Sequence, residues 1–129
     1  MPSELAEKFM STLQAIESSK DVEPLVALFA SNAEVSNLLM TEPLIGQEGA
    51  RQFWQKYLSV FDEVHSEFTH VAEGGHSIAL EWTSIGTLTS GEPIKYRGVS
   101  LIERHMGQVQ RFRTYYDSAA FLPEGSKHS

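Results

Sequence analysis

The spacing of apolar residues changes halfway along the chain, and this change constrains the fold more than any other feature of the sequence. Up to residue 61, apolar side chains recur every three or four positions, which is typical of amphipathic helices. From residue 64 onward they alternate with polar side chains, which is typical of strands. The sequence therefore predicts an α+β fold in which helices precede a sheet.

Three helices are predicted in the first half. The apolar stripe of the first helix, capped by Ser3, consists of Leu5, Phe9, Leu13 and Ile16. A shorter second helix is predicted to begin at Asp21, with an inner face of Leu25, Leu28 and Phe29. Residues 31–46 are interpreted as a short extended segment and a loop. The third helix carries the most apolar stripe, which consists of Ala50, Phe53, Trp54, Tyr57, Leu58 and Phe61.

Four strands are predicted in the second half, at residues 64–73, 77–89, 94–105 and 109–117. The turns between them contain glycine or proline, and their short lengths predict an antiparallel meander. Helices that pack on one side of a bent sheet tend to leave a space, which in a small domain is the default ligand site.

Composition excludes several classes of protein. The 129 residues fit a single domain over 1–129, with a flexible tail at 123–129. The absence of cysteine excludes a disulfide scaffold and a thiol nucleophile. Because the chain has 17 acidic and only 10 basic residues, no nucleic-acid partner is expected. No apolar run is long enough for a membrane span, and no secretory signal is apparent, so a cytoplasmic location is expected.

No cofactor and no metal are expected either. The chain has no glycine-rich phosphate motif, and GQEGAR at 46–51 is better interpreted as a helix start. No pair of histidines has the spacing of a metal site.

The order of several segments resembles the SnoaL-like branch of the nuclear-transport-factor-2-like (NTF2-like) superfamily, which contains polyketide cyclases and ketosteroid-isomerase-like proteins. The segments are DVEPLVALFASNAEV, EPLIGQEGARQFW, LEWTSIGTLTSG and YRGVSLIERHMGQVQRFRTYYD. The resemblance implies a cone-shaped α+β barrel, with three N-terminal helices on a curved antiparallel sheet of four strands plus one short strand. It also implies a homodimer and a cavity for a small apolar or aromatic molecule.

The resemblance further implies that the catalytic acids of the family's enzymes are replaced in this chain. Asn37, nine residues before Gly46, stands where steroid isomerases have an aspartate. Thr114, seven residues after Gly107, stands where cyclases and epoxide hydrolases have another. An amide cannot act as a general base near neutral pH, although it can hydrogen-bond a ligand oxygen.

Three residues are candidates for catalysis. Tyr116 could donate a hydrogen bond to a carbonyl or enolate oxygen, or could simply pack in the core. Asp117 could be a partly buried acid, or a strand-end residue that accepts turn hydrogen bonds. His65 shares a strand face with Glu67 and could perform acid–base chemistry if that face met the cavity, whereas a lone strand histidine is more often structural or exposed.

Six residues are candidates for binding: Asn37, Met40, Trp54, Trp82, Phe112 and Thr114. Two hypotheses of function follow. One is a small-molecule-binding protein that acts as a cofactor-free cyclase, isomerase or dehydratase on an apolar carbonyl compound. The alternative is a non-catalytic ligand-binding or dimerisation module that has lost the family's catalytic acids.

Overall fold

The computed structural model describes residues 2–122, so the tail predicted at 123–129 lies outside the described residues. The helices are α1 (Glu4–Ser19), α2 (Glu23–Val26) and α3 (Gly46–Ser59). The strands are β1 (Phe29–Asn37), β2 (Leu44–Ile45), β3 (Phe61–Glu73), β4 (Ser77–Leu88), β5 (Pro93–His105) and β6 (Gln108–Tyr116). A short 3₁₀ helix, Ser118–Phe121, follows β6. None of the described helices is long and apolar enough to cross a membrane.

Helix α1 begins where the sequence predicts, since the Ser3 hydroxyl accepts a hydrogen bond from the Ala6 N–H at 3.2 Å. Helix α2 is shorter than predicted. Asp21 accepts from the Glu23 N–H at 3.1 Å, but the helix ends at Val26. Phe29 instead begins β1, because it pairs with Val109 of β6. Likewise Phe61 belongs to β3 rather than to the third helix.

The sheet has more strands than the sequence predicts, and it is mixed rather than antiparallel. Its order is β2-β1-β6-β5-β4-β3. Strand β1 runs parallel to β6, whereas the predicted meander of β3 to β6 is antiparallel as expected. The register of β1 shifts between Phe29 and Glu34, which breaks the alternation of buried residues. Strand β1 is therefore longer than the short extended segment that the sequence predicts.

The core lies between the helices and the inner face of the sheet, where aromatic rings from both halves of the chain meet. Phe9 of α1 stacks on Phe112 of β6 with ring centroids 5.6 Å apart. Trp54 of α3 contacts both rings, at 6.3 and 5.2 Å, and all three side chains are buried. This cluster fixes α1 and α3 over the sheet, and so determines the shape of the space beside it.

Candidate functional site

A cavity of about 660 Å³ lies between the inner face of the sheet and helices α1 and α3. This volume is within the range of small-molecule pockets. Nine of the 22 residues in its wall are aromatic: Phe53, Trp54, Tyr57, Phe61, Trp82, Tyr96, Phe112, Tyr116 and Phe121. A ligand of matching shape would therefore gain mainly from apolar burial.

All six predicted binding residues line this cavity: Asn37, Met40, Trp54, Trp82, Phe112 and Thr114. They come from β1, the following loop, α3, β4 and β6. Trp54 also packs in the aromatic core, and its indole N–H has no hydrogen-bond partner among the described residues. Their roles in binding stay predictions, but the structure brings these residues together.

Of the three predicted catalytic residues, the structure places one in the cavity wall and two outside it. Tyr116 lines the cavity, where burial raises the pKa of its phenol. Asp117 is exposed and outside the cavity wall, and its carboxylate accepts from the Ala119 N–H at 3.2 Å, which caps the 3₁₀ helix. This contact is the strand-end alternative considered for Asp117.

His65 is likewise not brought to the cavity. It lies on the outer face of β3, where it is 2.7 Å from the Glu67 carboxylate, and both side chains are more than half exposed. The next residue, Ser66, points inward instead, because successive side chains of a strand face opposite sides. A cavity acid must therefore come from elsewhere.

One buried carboxylate, Glu17 of α1, reaches the cavity wall through hydroxyl groups. It accepts from the Ser66 N–H at 2.8 Å, from the Ser66 hydroxyl at 2.6 Å and from the Tyr57 hydroxyl at 2.7 Å. The Ser66 and Ser84 hydroxyls lie 2.6 Å apart. Tyr57, Ser66 and Ser84 line the cavity. We call these four residues the Glu17 cluster.

Sequence reasoning missed the Glu17 cluster, although a signal was present. The residues Leu5, Phe9 and Leu13 continue at the same spacing of four to Glu17, so this acid lies on the apolar stripe of α1. Only 3% of Glu17 is exposed. A buried carboxylate requires hydrogen-bond donors, which β3 and α3 supply.

A second polar group occupies the other end of the inner sheet face. The Trp82 indole N–H donates to the Ser100 hydroxyl at 3.0 Å, and the Ser100 and Thr114 hydroxyls lie 3.0 Å apart. Asn37 pairs with Thr114 in the sheet, and its side-chain oxygen accepts from the Leu39 N–H at 2.9 Å. We call Asn37, Trp82, Ser100 and Thr114 the Ser100 cluster.

The electrostatics of the cavity keep its phenols neutral. Burial raises the pKa of Tyr57 well above its ordinary value, and the neighbouring Tyr96 and Glu17 raise it further. Burial also raises the pKa of Tyr96, while the nearby hydroxyls of Tyr57 and Ser84 oppose this rise. Among the described residues no ion pair involves Glu17. The cavity therefore holds neutral hydroxyls in front of one carboxylate.

This arrangement can bind oxygen-bearing ligands and can pass a proton between Glu17 and the cavity through Ser66 and Ser84. Direct contact of a ligand with the carboxylate is not needed for either. Over residues 2–122, no three histidine or acidic side chains come together as a metal-binding group.

The six-stranded sheet, the three helices and the cavity between them define an α+β cone of the NTF2-like class. The family model of the SnoaL-like domain matches residues 6–112, and the chain belongs to this family. No match was found among curated proteins.

Several solved structures share the fold. An NTF2-like protein from Anabaena variabilis is 13% identical, with a TM-score of 0.82 over 93% of this chain and 96% of that one. A protein from Catenulispora acidiphila with a ketosteroid isomerase-like fold, in complex with trimethylamine, is 15% identical, with a TM-score of 0.81 over 100% and 99%. TerC, co-crystallised with polyporic acid, is 15% identical, with a TM-score of 0.77 over 92% of each chain. At these identities the likeness concerns the fold alone.

Proposed function

We propose that the protein binds a small, largely apolar cyclic molecule with a few oxygen atoms in its cavity. The observation that carries this proposal is an aromatic cavity of about 660 Å³ in which two separate polar clusters face the interior. Apolar walls give affinity, and a few placed polar groups give orientation. Two structures of the same fold, solved with polyporic acid and with trimethylamine, support small organic molecules as the class of ligand.

A thermal-shift screen with steroids, quinones and aromatic polyketides tests this proposal, because a ligand that binds the folded state raises the melting temperature. Fluorescence of Trp54 and Trp82, both in the cavity wall, gives a second readout. Met40→Trp places a bulky ring in the cavity wall and should weaken binding. Met106→Trp, at a turn residue that is 87% exposed, is the matched control. A panel in which nothing binds would overturn the proposal.

One observation favours a second candidate function, cofactor-free acid–base catalysis of the cyclase, isomerase or dehydratase type. The Ser66 and Ser84 hydroxyls connect the Glu17 carboxylate to the cavity through two contacts of 2.6 Å. Along this chain Glu17 could receive a proton from a bound carbonyl compound. In the non-catalytic alternative this carboxylate only accepts the hydrogen bonds of Tyr57 and Ser66.

Deuterium exchange distinguishes the two candidates without knowledge of the substrate. A bound cyclic ketone is incubated in D₂O, and incorporation beside its carbonyl is followed by mass spectrometry. A catalyst accelerates exchange, and Glu17→Gln should abolish the acceleration while the ligand still binds. Exchange no faster than in buffer identifies a binding module.

We further propose that the protein forms a homodimer through the outer face of the sheet. This face exposes large apolar side chains, including Ile85 at 55% and Tyr115 at 45%. The same face also carries charged groups, since Glu103 forms ion pairs with Arg111 and Arg113. Sedimentation velocity tests the proposal: Ile85→Glu should give monomers, and a wild-type monomer would contradict it.

A further inference from the structure

The hydrogen-bond donors and acceptors of the cavity are distributed unequally between its two polar clusters. We propose that this asymmetry selects a cyclic ligand with a hydroxyl at one end and a carbonyl at the other. The Glu17 cluster binds the hydroxyl as an acceptor, and the Ser100 cluster binds the carbonyl as a donor. The inference rests on the binding function proposed above and names its ligand class.

Counting protons shows that the Glu17 cluster accepts. The hydroxyl protons of Tyr57 and Ser66 are both committed to the Glu17 carboxylate, at 2.7 and 2.6 Å. Because Ser66 has no second proton, the Ser84 hydroxyl must donate across its 2.6 Å contact with Ser66. These three hydroxyls therefore offer a ligand only lone pairs, and the Tyr96 hydroxyl, which hydrogen-bonds with Tyr57 and Ser84, can donate its own proton within the cluster. Such a site favours a phenol, an enol or an alcohol.

The same count shows that the Ser100 cluster donates. Ser100 and Thr114 hold two hydroxyl protons, of which one lies in their shared contact. The Trp82 N–H donates to Ser100 and therefore uses neither of these protons. The second hydroxyl proton is free for a ligand. The oxygen of the Asn37 amide is engaged by Leu39, which leaves the NH₂ group as a further donor. Such a site favours a carbonyl oxygen.

The distance between the clusters requires a ligand of several fused rings. Ser84 pairs with Tyr96 on β5, and Ser100 lies four residues further along the same strand face. At about 3.3 Å per residue, the clusters are about 13 Å apart along β5. The ring of Trp82 covers Gly98 between them, as an apolar floor. A rigid polycyclic body with oxygen at each end fits this layout.

Matched probes test the assignment. Estrone carries a phenol and a ketone at opposite ends of a fused ring system. Its phenol methyl ether lacks the donor, and deoxoestrone lacks the ketone. Dissociation constants come from quenching of tryptophan fluorescence. The free phenol is expected to bind about tenfold more tightly than its ether, and estrone about tenfold more tightly than deoxoestrone.

Glu17→Gln should reverse the preference for the free phenol over its methyl ether, while the variant keeps the shape of the side chain. The new amide oxygen can accept from the Ser66 N–H, and the amide NH₂ can donate to Ser66 and Tyr57. Those hydroxyls then regain protons for the cavity, so the methyl ether should bind as well as the phenol or better. Glu81→Gln, exposed on the outer face of β4, should leave the ratio unchanged.

Asn37→Asp tests the other end in the same way. It replaces the donor NH₂ with an acceptor, so estrone should lose part of its advantage over deoxoestrone, because the free hydroxyl proton of Ser100 and Thr114 remains. Asn32→Asp, exposed on the same strand, is the control.

The outcomes separate the two proposals. A preference for the phenol that reverses in Glu17→Gln and a preference for the ketone that shrinks in Asn37→Asp support the inference. Probes that bind without discrimination, or with ratios unchanged in both variants, overturn it and leave the binding function standing. Failure of every probe, together with failure of the wider panel, overturns both.

Discussion

The carboxylate of Glu17 on α1 holds both the backbone N–H and the hydroxyl of Ser66 on β3, at 2.8 and 2.6 Å. One helix side chain thereby satisfies two groups of a strand 49 residues away in the chain. The same contact joins the core to the cavity wall, so it bears on both stability and ligand binding.

Removal of this carboxylate should destabilise the fold. Glu17→Ala leaves the Ser66 N–H without an acceptor and opens a small void, so we expect a loss of about 2–4 kcal/mol in the free energy of unfolding. Glu17→Gln should lose only about 1 kcal/mol, because its amide replaces most of the hydrogen bonds. Urea unfolding measures both. Glu7→Ala, exposed on the same helix, should lie within about 0.5 kcal/mol of wild type, and equal values for the two alanine variants would contradict the role of Glu17.

A methyl group at Gly98 should disturb the cavity floor. A Cβ at this position would lie 2.7 Å from Cζ2 and 2.9 Å from Cη2 of Trp82, and would also meet the Tyr115 carbonyl oxygen. Gly98→Ala should therefore displace the indole from Ser100, shift the tryptophan emission and weaken ligand binding about tenfold. Gly74→Ala, where nothing lies within 4 Å, should leave the emission unchanged. An unshifted spectrum in Gly98→Ala would show that the floor can adapt.

Alkaline pH should unfold the protein through its buried phenols. The folded state raises the pKa of Tyr57 and Tyr96 above the ordinary value of 10.0, so it holds these protons more tightly than the unfolded chain does. The stabilisation is then fully present below about pH 10. Above this pH the free energy of unfolding falls by about 1.4 kcal/mol per pH unit for each tyrosine that stays protonated in the folded state. Urea unfolding over this range measures the slope. Tyr96→Phe should reduce the slope, and a slope unchanged by this variant would argue against the prediction.

The clamp between Arg104 and the N-terminus should contribute to stability. The guanidinium of Arg104 donates to the Glu73 carboxylate and to the Ser3 hydroxyl, each at 2.9 Å, and to the carbonyls of Gly74 and Gly75 at 2.8 and 3.3 Å. Arg104→Ala should lower the free energy of unfolding by about 1–3 kcal/mol. Arg97→Ala, at an exposed position of β5, should change it little. Comparable losses in the two variants would refute a specific clamp.

This clamp should also weaken in acid. Hydrogen bonds from Ser3, together with Arg104, hold the pKa of Glu73 below its ordinary value of 4.5. A lowered pKa means that the stabilisation is present above about pH 4.5 and is lost as the pH falls through the folded-state value. Thermal unfolding of wild type and Arg104→Ala should therefore converge towards low pH, whereas a constant difference would exclude this linkage.

The sequence by itself determined the features that depend on local periodicity. The stripe of Phe9 and Leu13 placed α1, and the alternation around Trp82 placed β4, because burial on one side imposes a spacing of three to four in a helix and two in a strand. The same alternation put Phe112, Thr114 and Tyr116 on one face, and the family resemblance assigned that face to the cavity, which they line. The family resemblance placed Asn37 and Met40 beside them.

Only the tertiary structure decided which distant groups meet. The parallel pairing of β1 with β6 joins residues about 80 positions apart, and such pairing leaves no local pattern. Glu17 reaches the cavity wall only because Tyr57 of α3 and Ser66 of β3 donate to it and Ser84 of β4 lies beside Ser66. Asp117 and His65 are residue types that can transfer protons, but neither lies at the cavity. Asp117 caps the 3₁₀ helix at the end of β6, and His65 lies on the outer face of β3. The sequence gives the type of each side chain. Its burial and its hydrogen-bond partners depend on how segments far apart in the chain pack together.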